Sequence, residues 1–381
     1  MTSFPYPLHR RGLMLGAGAL AASSTVAGAV TAADPGAYAA ALDLAFSRGG
    51  APALAGMVVG RSGATWVGVR GVRRQGAQDV ATREDRWHLG SNTKAMTAAL
   101  WARTVQTGLA RWDMPLTDVF PDVAVHERFA GLTVDDLMRH RAGLTDDGLL
   151  TPAWLRASRA DARPLTEQRA ALAAQALSAA PAGRAGTFAY GNLNYIILGA
   201  ALERLHGAAW EDLMRRDLFE PLGIASGGFG TPVDPAPWGH RSAGGVATAI
   251  APGPSGDNPA ALGPAGTAHM TPADYGRFLS VFLDGGKGWL TGASLERLTT
   301  PFEGPPPAYA AGWGVIRAGW AGRDRGPGPL LTHDGSNTFW YASAALAPER
   351  GIGFVALSND AGRGADAVGD LIGRLIRTAA A

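Results

Sequence analysis

The spacing of apolar positions changes period several times along this chain. Residues 37–46 carry a helical spacing. The runs Gly56-Met57-Val58-Val59-Gly60 and Thr65-Trp66-Val67-Gly68-Val69 flank a turn at Ser62-Gly63 and predict a β-hairpin. From Ser91 to about Thr107, the placing of Met96, Leu100 and Thr104 predicts a helix that Gly108 stops. Segments 133–139, 166–179, 193–206, 208–217 and 274–283 predict further helices. Segments 311–316, 330–333, 340–346 and 352–357 then read as antiparallel strands, with a last helix over 365–378. Residues 225–266 are crowded with Gly, Pro, Ala and Ser. That is long for an idle loop and predicts a surface or lid-like connection.

Strands at both ends around a helical middle predict an α/β (α+β) fold. Its antiparallel sheet, flanked by helices, is drawn from 34–95 and 265–381, and a mainly helical region, 96–264, is inserted between them. No internal repeat or charge-block linker breaks the chain. With 381 residues and 46% apolar content, the core has ample material.

Residues 1–33 are expected to lie outside that fold. Arg10-Arg11 precede a mildly apolar, uncharged stretch, and small-x-small triplets follow at Ala27-Gly28-Ala29 and Val30-Thr31-Ala32. This is the pattern of a signal peptide, with paired arginines of the twin-arginine type, and it predicts a periplasmic or secreted protein. A single membrane anchor is the competing reading, since about 18 uncharged residues just span a bilayer. Gly, Ser and Thr dilute the hydrophobicity and count against it.

The 34 basic and 32 acidic residues leave a formal charge of only +2. No basic run interleaved with aromatics occurs, so neither a nucleic-acid nor an anionic-membrane partner is implied. The absence of cysteine excludes disulfides, thiolate metal sites and a cysteine nucleophile. Only Lys94 and Lys287 are lysines among the 34 basic residues, so a lysine here stands against a strong arginine preference.

Lys94 lies in Ser91-Asn92-Thr93-Lys94. On a helix, i and i+3 share a face, which sets the amine beside the hydroxyl. A serine hydroxyl needs a base to become a nucleophile. A buried lysine can supply one, whereas arginine cannot be deprotonated in a protein. The competing reading makes Ser91 a simple N-cap. Tyr190-Gly191-Asn192 precedes a predicted helix, so phenol and amide can face one cavity. A nearby ammonium is expected to lower the phenol's pKa and make it a proton acceptor, and Asn192 is expected to donate to a substrate carbonyl. A core tyrosine followed by an N-cap asparagine is the alternative. His333-Asp334-Gly335-Ser336 ends an apolar strand. Gly335 is expected to let substrate lie along the strand edge, and the Ser336 N–H to face the Ser91 N–H as a two-donor oxyanion hole. His333 is expected to hold a substrate carboxylate or tune the phenol.

In order and separation, these three segments resemble the serine penicillin-recognising hydrolases: class C β-lactamases, DD-peptidases, D-aminopeptidases and family VIII esterases. The likeness runs the whole mature length. It includes Trp87-His88-Leu89-Gly90, Leu137-Met138-Arg139-His140-Arg141-Ala142-Gly143-Leu144 (similar to the family's LLxHxSGL), residues 188–198, Gly263-Pro264-Ala265-Gly266 with Asp274, Ala347-Pro348-Glu349 and Ser358-Asn359. The resemblance implies a β-lactamase/transpeptidase-like fold and two-step acyl transfer, with no cofactor. Ser91, Lys94 and Tyr190 would be catalytic, and Asn192, His333, Asp334 and Gly335 would bind substrate. The implied partner is a small ester, amide or D-amino-acid peptide. One departure stands out: class C β-lactamases carry K-T-G where this chain has H-D-G, and Asp334 replaces a hydroxyl donor for a substrate carboxylate. Esterase, D-aminopeptidase or DD-carboxypeptidase action is therefore expected ahead of β-lactamase action. A catalytically idle relative that binds cell-wall peptides or another protein is the alternative class.

Rival motifs fail on inspection. Gly60-Arg61-Ser62-Gly63-Ala64 and Gly253-Pro254-Ser255-Gly256-Asp257 lack the last glycine of a nucleophile elbow. His126-Glu127 meets Ala130 where a second zinc histidine belongs, and Gly286-Lys287-Gly288 is no phosphate loop. Lys287 reads as a solvated turn residue, Ser358-Asn359-Asp360 as a strand end, and Trp238, Trp313, Trp340 and Tyr341 as core aromatics. No metal is expected.

Overall fold

The computed structural model describes residues 34–380, and the expected signal segment lies outside the described residues. The chain enters through α1 (Pro35–Gly49), whose first turn is capped by Asp34. The hairpin β1 (Ala53–Gly60) and β2 (Gly63–Gly71) follows, then β3 (Trp87–His88). The chain next turns mainly helical: α2 (Thr93–Gln106), α3 (Leu116–Val119), α4 (Val134–Met138), α5 (Pro152–Ala160), α6 (Leu165–Ser178), α7 (Asn192–His206), α8 (Trp210–Leu213) and α9 (Glu220–Leu222). It continues through β4 (Gly228–Phe229), β5 (Gly239–Ala243), β6 (Val246–Ile250), α10 (Gly263–Gly266), β7 (Ala268–Met270), α11 (Pro272–Leu283) and α12 (Gly292–Thr299). Strands β8 (Gly314–Ala318), β9 (Gly328–Ser336), β10 (Tyr341–Ala347) and β11 (Ile352–Ser358) precede α13 (Gly364–Ala380).

The main sheet runs β2-β1-β11-β10-β9-β8, antiparallel at every step, so strands from both ends of the chain share it. Because side chains alternate along a strand, each strand feeds two cores. Leu54, Val58, Leu330, Ala345 and Phe354 pack with Leu42 of α1 and Leu371 of α13. Met57, Leu331, Ala344 and Val355 join the larger core around α2, α7 and α11. Helix α2 is buried from Thr93 through Ala102, which its run of small and apolar side chains allows.

Several expectations are corrected. Residues 225–266, expected as a Gly/Pro-rich surface or lid-like connection, contain elements that the sequence reading did not give: β4, the β5–β6 hairpin and α10. Helices α5 and α12 were not anticipated. Helix α5 buries none of its residues fully, so it leaves little apolar signal, and α12 starts from a Thr291 cap rather than an apolar run. The helix over 208–217 is only α-helical to Leu213 and then widens into a π-type turn, Met214–Phe219.

Candidate active site

Ser91 sits in a tight 3-10 turn, Gly90–Asn92, immediately ahead of α2. Asn92 pins this turn: its Nδ2 donates to the Leu89 carbonyl at 3.1 Å, and its Oδ1 accepts from the Tyr275 hydroxyl at 3.0 Å. Strand β9 lies backbone to backbone against it. Gly90 has φ +52°, and a Cβ there would strike the Ser336 nitrogen. A Cβ on Gly335 would strike the Leu89 carbonyl and come within 2.8 Å of the Ser91 nitrogen. Gly335 is therefore required by the Ser91 turn itself, a second reason for glycine beside the expected approach of substrate along the strand edge. Strand β8 pairs β9 only as far as Thr332, so 333–336 have no strand partner on that edge.

Lys94, the second residue of α2 and three positions after Ser91, is fully buried. Its Nζ lies 3.0 Å from Ser91 Oγ, 2.8 Å from Asn192 Oδ1 and 2.8 Å from the Ala265 carbonyl. Burial disfavours the ammonium and brings the Lys94 pKa down to about 7, against the opposing pull of Asp146. Thr97 Oγ1, donating to the Pro264 carbonyl at 2.7 Å, ties α10 to α2 and so places the Ala265 carbonyl.

Asn192 is the first residue of α7, with Gly191 as N-cap. Its amide oxygen faces Lys94, and its nitrogen donates to Asp146 Oδ2 at 3.0 Å. Asp146 also accepts from the backbone N–H groups of Asn192 (3.0 Å) and Leu193 (2.9 Å). Asn192 therefore acts first on Lys94, and one Nδ2 hydrogen remains to offer elsewhere. Sequence reasoning missed Asp146, which lies 46 residues before Asn192 with no spacing to mark it.

Tyr190 lies against the same lysine: Nζ stands 4.9 Å from its ring centroid, and its hydroxyl interacts with Ser91. The expected lowering of its pKa is not found. Burial pushes the phenol up, outweighing the Ser91 hydrogen bond, and Asp146 and Asp334 add to the rise. Tyr190 is thus held in its protonated form.

His333 is buried on the same face, its Nε2 3.1 Å from the Tyr309 hydroxyl. Burial, reinforced by Lys94, brings its pKa down to about 3, so the imidazole is uncharged at neutral pH. The expected contact with a substrate carboxylate would therefore be a hydrogen bond from a neutral ring, not a charge pair. The expectation for Asp334 is corrected. By strand alternation its side chain lies on the opposite face of β9 from His333. There it is hydrogen-bonded with Ser343 and Tyr341, and burial raises its pKa. Ser91, Lys94, Tyr190, Asn192, His333, Gly335 and Ser336 converge, whereas the Asp334 carboxyl does not face them.

An aromatic shell that the sequence did not reveal closes the site. The His140 ring centroid lies 4.5 Å from that of Tyr190, 5.0 Å from Tyr309 and 5.3 Å from Tyr195. Burial, with Lys94 and His333 nearby, pushes the His140 pKa well down. The rival motifs lie elsewhere. Lys287 donates to Ser280 Oγ in a turn, Asn359 ties β1 to the chain after β2, and Trp313 and Trp340 are fully buried. Among the described residues no cluster of His, Asp and Glu is arranged to hold a metal, and no helix is long and apolar enough to cross a membrane.

Comparison with known proteins identifies the family and the fold. A family model described as Beta-lactamase matches residues 33–378. Penicillin-binding protein 4 of Amycolatopsis lactamdurans is 28% identical over 322 residues, spanning 76% of this chain and 76% of that protein. The octameric penicillin-binding protein homologue from Pyrococcus abyssi superposes with a TM-score of 0.72 at 20% identity, covering 90% of this chain and 77% of that one. The D-amino acid amidase from Ochrobactrum anthropi SV3 gives 0.71 at 20% identity, covering 90% and 98%.

Proposed function

The chain belongs to the beta-lactamase family and is a serine hydrolase, and from that premise we propose that it cleaves a small neutral amide or ester through an acyl-enzyme on Ser91. The observation that carries the reading is the set of three partners around Lys94 Nζ. A neutral amine has two N–H donors and one lone pair. Asn192 Oδ1 and the Ala265 carbonyl take the two donors, which leaves the lone pair for the Ser91 hydroxyl at 3.0 Å.

In the proposed reaction Lys94 accepts the Ser91 proton as Oγ bonds to the substrate carbonyl carbon. The oxyanion is held by the Ser91 and Ser336 backbone N–H groups. Tyr190, kept protonated by its burial, gives its proton to the leaving amine or alcohol as the C–N or C–O bond breaks, and the Lys94 ammonium restores it. Water then adds to the acyl carbon with the same groups reversed, releasing the acid and freeing Ser91.

Substrate class follows from the third segment. With His333 uncharged and the Asp334 carboxyl turned to the other face, that strand presents no cation to a free carboxylate. A neutral group beside the scissile bond suits it better, and the structural similarity to a D-amino acid amidase supports amides of D-residues. The Arg10-Arg11 pattern supports export, so that substrate is met outside the cytoplasm.

A fluorophosphonate probe should label the purified protein and lose that labelling in Ser91→Ala and Lys94→Arg, since arginine cannot take the proton. Side-by-side turnover of p-nitrophenyl esters, a D-alanyl amide, a D-alanyl-D-alanine peptide and nitrocefin should rank the first two highest. Faster turnover of nitrocefin or the free-carboxylate peptide would overturn the substrate assignment, and no labelling at all would overturn the mechanism.

A further inference from the structure

His88 lies in none of the three segments that carry the chemistry, yet it is fully buried beside them. The Gly90 N–H donates to its Nδ1 at 3.0 Å. A nitrogen that accepts carries no proton, so the proton of the neutral ring sits on Nε2. From there it is donated to Asp257 Oδ2 at 3.0 Å. The other carboxylate oxygen of Asp257 accepts from Asn337 Nδ2 at 2.8 Å. Asn337 Oδ1 in turn accepts from the backbone N–H groups of Phe339 and Trp340, each at 3.1 Å. The Trp340 ring stacks on His88 with centroids 5.5 Å apart, and Arg159 of α5 donates to the Asp257 carbonyl at 2.8 Å.

This chain of bonds joins the two pieces of backbone on which the proposed oxyanion hole depends. Gly90 is adjacent to Ser91, and Asn337 is adjacent to Ser336. Gly90 holds a left-handed conformation (φ +52°) with no Cβ to wedge it in place. The His88 bond to its N–H holds the Leu89–Gly90 peptide, whose carbonyl Asn92 holds from the other side, and so sets the residue that leads into Ser91. We propose that His88, oriented by Asp257 and Asn337, is a positioning residue that sets the backbone of the Ser91 turn against β9 and so governs acylation without touching substrate. The proposal rests on the acyl-enzyme reading for its kinetic consequence, whereas the backbone coupling stands without it.

Two isosteres separate positioning from bulk packing. In His88→Asn the amide oxygen replaces Nδ1 and keeps the Gly90 bond, while Asp257 Oδ2 loses the His88 N–H and Oδ1 keeps Asn337. In His88→Gln the amide reaches the Nε2 position and keeps Asp257, while Gly90 loses its acceptor. In the purified full chain, His88→Gln should cut kcat on an activated ester about 30-fold or more with KM within about 3-fold, and His88→Asn should keep kcat within about 5-fold. Amide hydrogen exchange read by NMR should show Gly90 N–H protected in the unaltered protein and in His88→Asn, but exchanging faster in His88→Gln. Losses that are equal in the two variants and follow their melting temperatures, or Gly90 protection unchanged in His88→Gln, would overturn the proposal. If the unaltered protein is never acylated, the acyl-enzyme reading falls, and the Gly90 exchange comparison still decides the coupling.

Discussion

The Asn192 side chain bridges Lys94 and Asp146, accepting from the amine at 2.8 Å through Oδ1 and donating to the carboxylate at 3.0 Å through Nδ2. Asp146 is thereby one amide removed from the amine. Its charge favours the ammonium, burial favours the neutral amine, and burial wins. That competition sets how the protein should respond to pH and to substitution.

With Lys94 at about 7, the neutral amine that can act as base dominates above that pH and disappears below it. The kcat/KM of a neutral ester should therefore rise through pH 7 and level off. Because burial raises the Tyr190 phenol, no descending limb from its ionisation is expected below about pH 10. A pH–rate profile at low substrate reads both features. An activity that falls between pH 6 and 8 would exclude Lys94 as the base.

Asp146→Asn removes the charge that supports the ammonium while retaining one acceptor oxygen for the start of α7. The rising limb should move to lower pH by about half a unit to one unit. Weaker capping should cost about 1 kcal/mol of stability. An upward movement of the limb would contradict the assigned electrostatics.

The lowered Lys94 pKa is also a statement about stability. Between about pH 7 and 10.5 the unfolded chain holds a proton on this group that the folded chain has released, so its contribution to stability rises with pH. Below pH 7 both forms are protonated, and the full cost of burying the ammonium, roughly 5 kcal/mol at most, is present. In Lys94→Met that pH dependence is gone. Denaturant unfolding at pH 6, 8 and 10 should show the variant most favoured relative to the unaltered protein at pH 6, with the difference shrinking towards pH 10. A constant difference would argue against a buried titrating amine.

Gly335→Ala drives a methyl group into the Leu89 carbonyl and towards the Ser91 nitrogen, both of them backbone atoms that cannot swing aside. It should cost roughly 2–3 kcal/mol of stability and slow acylation about 100-fold. Gly369→Ala is the control. That glycine lies in α13 with nothing within 4 Å of an added Cβ, and the change should stabilise by about 0.5–1 kcal/mol. Thermal melts and probe-labelling rates distinguish the two. Similar behaviour in both variants would remove the argument from close approach.

Periodicity along the chain was enough to predict the hairpin, the four C-terminal strands, most of the helices and the i, i+3 pairing of Ser91 with Lys94. These rest on local spacing, and local spacing survives in a linear string. The lysine itself was conspicuous for a chemical reason, standing in a chain that otherwise uses arginine. Tertiary structure alone decided which groups are charged. The downward pull on Lys94, the uncharged His333 and the raised phenol of Tyr190 all come from desolvation, which depends on what the rest of the chain packs around a group rather than on its neighbours in sequence. The same holds for direction. Strand alternation parts Asp334 from His333, but only the sheet register decides which of the two faces the site, and only the fold brings Asp146 to Asn192 and His88 to Asp257, because a hydrogen bond is satisfied by distance in space and leaves no trace in sequence separation.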